Sequence, residues 1–221
     1  FKAANPQCKI WLCRLTPIGD RHPRFRSGTR DWHAEIQKEI EKIAVHTEVG
    51  LIDLEEPLYH RPDLFPDALH PDPEGATLLA QTVYSALTGD YGGLQLPLLY
   101  SDNMILQRNK PLLLSGKADK GEKIRVKIAG QQQTTCSGEN GKWEVTFPPF
   151  EAGGPYTLEI RTSRQKQIYH NVWIGEVWVC SGQSNMAFPL KQCATAQSAF
   201  RQARQPQIRL FHMQPYEETN A

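Results

Sequence analysis

Two short stretches of the chain hold residue types that can move protons or attack carbonyls. In Asp67-Ala68-Leu69-His70-Pro71-Asp72, a carboxylate stands three residues before a histidine, just ahead of a helix start. At that spacing both side chains can face one cleft: the carboxylate holds the imidazole in one tautomer, and the other ring nitrogen takes a proton from a hydroxyl. In the second stretch, Ser184 follows the apolar run Val177-Trp178-Val179-Cys180. A serine at a turn from strand into helix leans over the sheet edge, where backbone N–H groups of its block, Gly182, Gln183 and Asn185, can face a developing oxyanion. Such a set suits acyl transfer. Each stretch also has a plainer reading, a solvated loop with a salt-bridged histidine in the first and a Ser/Asn helix cap in the second.

Nothing else in the sequence competes strongly with these two. His22, His33, His46, His60, His170 and His212 are scattered at no metal-ligand spacing, and the five cysteines form no Cys-x-x-Cys pair, so neither a metal nor any other cofactor is expected. Cys8, Cys13 and Cys180 fall in or beside apolar runs and read as small buried hydrophobes, with all five thiols free. Arg21, Arg24, Arg26 and Arg30 could pair with an acidic sugar in a two-pronged fashion, or simply form a solvated loop and helix entrance. Trp143 and Tyr156 could stack on a sugar ring, although alternating aromatics in a sheet are usually core.

The elements that must position these residues change character along the chain. Ile10 to Leu15 reads as a strand buried on both faces and stopped by Pro17 and Gly19. From Arg30 to His46, Trp32, Ile36, Ile40 and Ile43 recur at helical spacing behind a Thr29 cap, with Glu35/Lys38 and Glu39/Lys42 on the outer face. Val49 to Leu54 reads as a second strand. A helix then opens on Asp72 and Pro73, turns Ala76, Leu79, Ala80, Val83, Tyr84 and Leu87 inward, and stops at Gly89. Strand, helix, strand, helix is an α/β order. After Gly92-Gly93 the period becomes two: Ile124, Val126 and Ile128, then Trp143, Val145 and Phe147, then Tyr156, Leu158 and Ile160, with Asn140-Gly141 as a turn. That is the pattern of a β-sandwich. From Val172 the α/β character returns, with a strand through Cys180, a helix from about Gln192 to Arg204 and a strand from Ile208 to Met213.

Composition excludes several classes. The 221 residues are 39% hydrophobic and 22% charged, which describes a globular chain and not a disordered or collagen-like one. With 25 Lys+Arg against 24 Asp+Glu there is no basic field to gather nucleic acid. No stretch reaches the apolar length that crosses a bilayer. The sequence begins at Phe1 with no basic-then-apolar leader in residues 1–7, so the reading expects further chain upstream.

Several separate motifs, in order, carry a family resemblance. Trp173-Ile174-Gly175-Glu176-Val177-Trp178-Val179-Cys180-Ser181-Gly182-Gln183-Ser184-Asn185-Met186 resembles the nucleophile block of sialate O-acetylesterases. Leu96-Pro97, Tyr100-Ser101-Asp102-Asn103-Met104-Ile105-Leu106-Gln107-Arg108 and Gly153-Gly154-Pro155-Tyr156-Thr157-Leu158 resemble that family's β-domain. Residues 1–90 are similar instead to the C-terminal part of a GDSL/SGNH-type acylhydrolase, with Phe65-Pro66-Asp67-Ala68-Leu69-His70-Pro71 as its last catalytic block. These resemblances imply an α/β fold of SGNH/flavodoxin-like three-layer pieces with an inserted all-β sandwich. Residues 1–90 would end one SGNH domain, 91–171 would form the sandwich, and 172–221 would open a second SGNH-type domain. They imply Ser184 as nucleophile, His70 as general base, Asp67 as its orienting carboxylate, and an O-acetylated sialic acid or related carbohydrate as substrate, without a cofactor and in a secreted or periplasmic setting. The family order places Ser before Asp-x-x-His, whereas here His70 precedes Ser184. A tandem esterase with Asp67/His70 and Ser184 in different sites accounts for this, as does a permuted single site, while a non-catalytic carbohydrate-binding or spacer module remains the reading from another class.

Overall fold

The structure is a computed structural model and describes residues 3–19, 29–182, 186 and 188–212. The chain divides into two compact units, one up to Asp90 and the other from Tyr91.

The first unit is built on two parallel strands, β1 (Trp11–Cys13) and β2 (Gly50–Ile52), with Leu12 beside Leu51. Parallel neighbours need a long crossover. Helix α1 (Thr29–His46) lies in that connection and packs on both strands. The side of α1 that faces the strands is not the expected one: Trp32, Ile36 and Ile43 are exposed, while Gln37 and Ala44 are buried. The reason is hydrogen bonding. Beyond β1 the backbone of Leu15 has no strand neighbour, and the Gln37 amide supplies one, accepting the Leu15 N–H at 2.8 Å and donating to the Leu15 carbonyl at 2.8 Å. His33 Nε2 lies 3.0 Å from the Thr16 carbonyl and continues the same contact. Arg14 joins the strand ends to the helix, bonding Asp53 at 2.9 Å and Glu55, with Glu41 3.3 Å from its Nε.

Helix α2 (Pro73–Thr88) follows the sequence reading closely at both ends. Asp72 accepts the Gly75 N–H at 2.8 Å, Pro73 is the first helical residue, and Gly89, at φ 77°, gives its N–H to the Ser85 carbonyl. Leu78 and Leu79 pack on Leu58, Leu64 and Phe65, whereas Tyr84 and Leu87, expected inward, are exposed.

In the second unit the sheet runs β3 (Ile105–Gln107), β9 (Lys166–Gly175), β8 (Gly153–Arg161), β5 (Lys123–Ile128), β6 (Gln131–Cys136). Only the β3/β9 pairing in it is parallel. β4 (Leu112–Lys117) and β7 (Lys142–Phe147) form a separate antiparallel pair. Of the nine residues of the three alternating runs, Ile124, Val126, Ile128, Trp143, Val145, Phe147, Leu158 and Ile160 are buried in one cluster that draws on both sheets, and Tyr156 is partly buried and packs against it. Val172 and Ile174 also lie buried on β9, and its pairing with β8 runs past Val172 to Gly153 opposite Ile174, with register shifts on either side of Tyr156 opposite Val172.

The apolar runs after β9 depart from expectation. Residues 176–182 form no strand, and Val177, Trp178 and Val179 are exposed. Residues 208–212 are likewise without strand, and Leu210 is exposed. A short apolar run becomes a strand only when a neighbouring strand takes up its N–H and C=O groups, and no described strand pairs with either run. The expected helix is present as the shorter α3 (Ala196–Gln202). All five cysteines are free, but Cys13 and Cys180 are exposed and not buried. Among the described residues no helix is long and apolar enough to cross a membrane.

Replacing Gln37 by Leu keeps the volume and orphans both Leu15 backbone groups, so it should cost about 1–3 kcal/mol. Hydrogen exchange at the Leu15 amide measures this, and an unchanged rate would remove Gln37 from its role.

Candidate active site

The loop carrying Asp67 and His70 is closed before either side chain acts. Leu64 and Phe65 are held in the core under α2, and the Asp72 N–H reaches back to the Leu64 carbonyl at 2.8 Å. Inside that closure the Ala68 N–H bonds the Phe65 carbonyl at 2.8 Å, and Ala68 takes a left-handed conformation, φ 63°. Its carbonyl accepts the Gly19 N–H at 2.8 Å, tying the loop to the segment that follows β1. A β-carbon on Gly19 would stand 2.8 Å from that of Ala68, so only glycine allows this approach. Arg61 braces the loop's entry and the start of α2 by bonding Asp63 and Glu74, each at 2.9 Å.

Within this frame Asp67 and His70 meet. Asp67 Oδ2 lies 2.6 Å from His70 Nδ1, and Oδ1 accepts the backbone N–H groups of His70 at 2.6 Å and Leu69 at 3.0 Å. The His70 N–H, then the imidazole, then the Leu69 N–H hold the Asp67 carboxyl well below the usual carboxylate range. With Asp67 ionised, the proton between the two residues belongs to Nδ1, which leaves the Nε2 lone pair as the basic position. The His70 side chain is 75% exposed and that of Asp67 51%, so Nε2 is accessible. An oriented imidazole with an open basic nitrogen can take a proton from a hydroxyl and return it to a leaving group.

The other expected site residues are placed differently. Gln183, Ser184 and Asn185 lie outside the described residues, as do Arg21, Arg24 and Arg26 and the side chain of Arg30. Gly182 is exposed, outside any regular element. Trp143 is buried, which makes it core and not a sugar platform. No group of three metal-ligating side chains occurs among the described residues. The approach to the Ser184 block is fixed by residues with no chemical signature of their own: the Val177 N–H donates to Gln107 Oε1 at 3.0 Å, and Arg108 Nε pairs with Glu176 at 2.6 Å. Gln107, Arg108 and Glu176 all fall within the motifs quoted above. Gly19 gave its only signal as a strand stop.

No family model matches the chain. It is 28% identical over 109 residues to the sialate O-acetylesterase of Rattus norvegicus, which covers 44% of this chain and 20% of that protein. The human sialate O-acetylesterase is 27% identical over 107 residues, with 43% and 20% covered. A crystal structure of a carbohydrate acetylesterase from Xanthomonas citri is 33% identical over 51% of this chain and 26% of that one, with a TM-score of 0.48. The expected likeness to sialate O-acetylesterases is therefore present over less than half of the sequence. The matched stretch spans about a fifth of the length of these curated relatives.

Asp67→Asn should put an amide N–H against Nδ1 and shift His70 toward the tautomer with its proton on Nε2, read from imidazole 15N shifts; an unshifted tautomer would show that Asp67 does not set it. The folded carboxyl titrates below its unfolded value, so the bonds it accepts contribute above the ordinary carboxylate range and are lost as pH falls through the depressed value. The Asp67 13C signal should accordingly titrate at lower pH than that of an ordinary exposed aspartate.

Proposed function

We propose that the chain belongs to a serine esterase that removes O-acetyl groups from sialic acid or a related acetylated carbohydrate. The observation that carries the chemistry is the Asp67–His70 pair, 2.6 Å apart with its second ring nitrogen open. The similarity to sialate O-acetylesterases supports the substrate class. In this reading a serine Oγ attacks the acetyl carbonyl while a His–Asp pair takes its proton, and backbone N–H groups of the block containing Gly182, Gln183 and Asn185 hold the oxyanion. The alcohol leaves with that proton, and water then attacks the acyl-serine to release acetate and restore the hydroxyl.

We further propose the tandem arrangement. Residues 1–90 are the end of one SGNH-type α/β domain, 91–171 a β-sandwich, and 172–221 the opening of a second SGNH-type domain. Asp67 and His70 then serve a serine other than Ser184, and Ser184 is served by another His–Asp pair. The runner-up is one permuted site in which Ser184 meets His70. The reading from another class is a sugar-binding or spacer role for the β unit; its buried cluster, drawn from its own residues, fits a spacer.

Substitution pairs separate these readings. For two sites, Ser184→Ala and His70→Ala each remove a separate share of aryl-acetate hydrolysis, the affected site losing about 10³-fold or more, and the double variant loses both shares. In one shared site, the double would be no worse than either single. If neither substitution lowered hydrolysis and a fluorophosphonate left Ser184 unlabelled, the esterase reading would fall. Sialoside binding by the β unit alone, cut after Gly175 so that β9 is whole, would then support the module.

A further inference from the structure

The segment that carries Ser184 leaves the β unit at Glu176 and meets it again at Arg209. At the first end the fixings are those of Gln107 and Arg108, with the Arg108 N–H also donating to the Gly175 carbonyl at 2.9 Å. At the second end the fixing is a receptor for one guanidinium. Arg209 Nη1 donates to the carbonyls of Asn103 and Asn171, each at 2.7 Å, and Nη2 to Asn171 Oδ1 at 3.3 Å. The guanidinium carbon lies 5.7 Å from the centre of the Trp173 ring.

The receptor is itself held in shape. Asn103 and Asn171 both take left-handed conformations, φ 67° and 55°, which brings their two carbonyls to one donor. Asn171 Nδ2 donates to Asn103 Oδ1 at 2.7 Å, and Trp173 Nε1 donates to Asn171 Oδ1 at 2.8 Å. The Asp102 carboxylate accepts the His170 N–H at 2.7 Å, and the Asn103 N–H bonds the His170 carbonyl at 3.0 Å. A planar fork with five donors suits two carbonyls, an amide oxygen and an aromatic ring; an ammonium on a flexible stem does not. Asn103 and Asn171 flank the same β3/β9 pairing from which the segment departs.

We propose that Arg209 is a positioning residue: its capture by Asn103, Asn171 and Trp173 pins the far end of the Ser184 segment to the strand pair that launches it. Both described ends, Glu176–Val177 and Arg209, are thereby bonded to residues on or beside the β3/β9 pair. The link from this latch to catalysis rests on the reading of Ser184 as nucleophile.

The test is Arg209→Ala in the full protein, by NMR order parameters and by the rate of fluorophosphonate labelling at Ser184. Backbone order parameters for 205–212 should fall from about 0.85 to below about 0.6 while those of β5 and β8 stay unchanged. Labelling should slow at least tenfold. Added methylguanidinium, but not methylammonium, should restore both, a rescue that general loss of structure would not permit. Unchanged order parameters in 205–212 would overturn the latch. A fall in order without slower labelling, in a protein that labels normally when unsubstituted, would overturn the positioning role. Absence of labelling in the unsubstituted protein would instead remove Ser184 as nucleophile, and the positioning role with it, while the order parameters still report on the latch separately.

Discussion

The Asp67 carboxylate has to satisfy the backbone and orient an imidazole at the same time, because the chain after it turns back so tightly that two N–H groups point at one of its oxygens. Oδ1 takes the Leu69 and His70 N–H groups, and Oδ2 is left for Nδ1. These jobs reinforce each other. The N–H groups keep the carboxyl ionised, and the ionised carboxyl accepts only, so the shared proton must sit on Nδ1. Around this bond the loop needs Ala68 in a left-handed conformation and Gly19 without a side chain, and both are tied in by backbone bonds, the Ala68 N–H to the Phe65 carbonyl and the Gly19 N–H to the Ala68 carbonyl.

A second theme unites the two units: side-chain amides stand in for missing strand neighbours. Gln37 pairs both backbone groups of Leu15 where β1 runs out of sheet, and Gln107 Oε1 receives the Val177 N–H where the β3/β9 ladder ends. Asn171 does similar work with its side chain for Trp173 and Arg209. An unpaired buried backbone group costs as much as a lost hydrogen bond, and a primary amide offers a donor and an acceptor at peptide-like spacing. Strand direction can thus be carried a residue or two past the last true partner.

The same theme explains which parts of the fold were legible in the sequence. Caps and turns are local, so Asp72, Pro73 and Gly89 were readable outright, and the three alternating runs of the β unit announced their buried faces. The orientation of α1 was not legible, because its apolar stripe of Trp32, Ile36 and Ile43 is exposed and a glutamine faces the strands. A periodicity argument presumes that the apolar face has something to cover it. β6, Gln131–Cys136, escaped notice because a polar strand at a sheet edge needs only one neighbour and carries no hydrophobic alternation. Val177 to Cys180 misled in the opposite direction: its composition fits a buried strand, and no described neighbour pairs with it. That Asp67 and His70 meet was legible because a spacing of three residues is local.

The locality of that contact bears on the proposed function. The Asp67–His70 pair is completed within four residues, from its own backbone and a closed loop, so its geometry does not depend on any serine. A base built locally can be carried by any sheet that presents its loop. Any serine that such a pair would serve is set by long-range packing, which the loop itself does not contain. A chain can therefore hold a well-formed base in one unit and a serine block in the other without the two belonging to one another. The proposed tandem arrangement needs no distortion of the Asp67 loop.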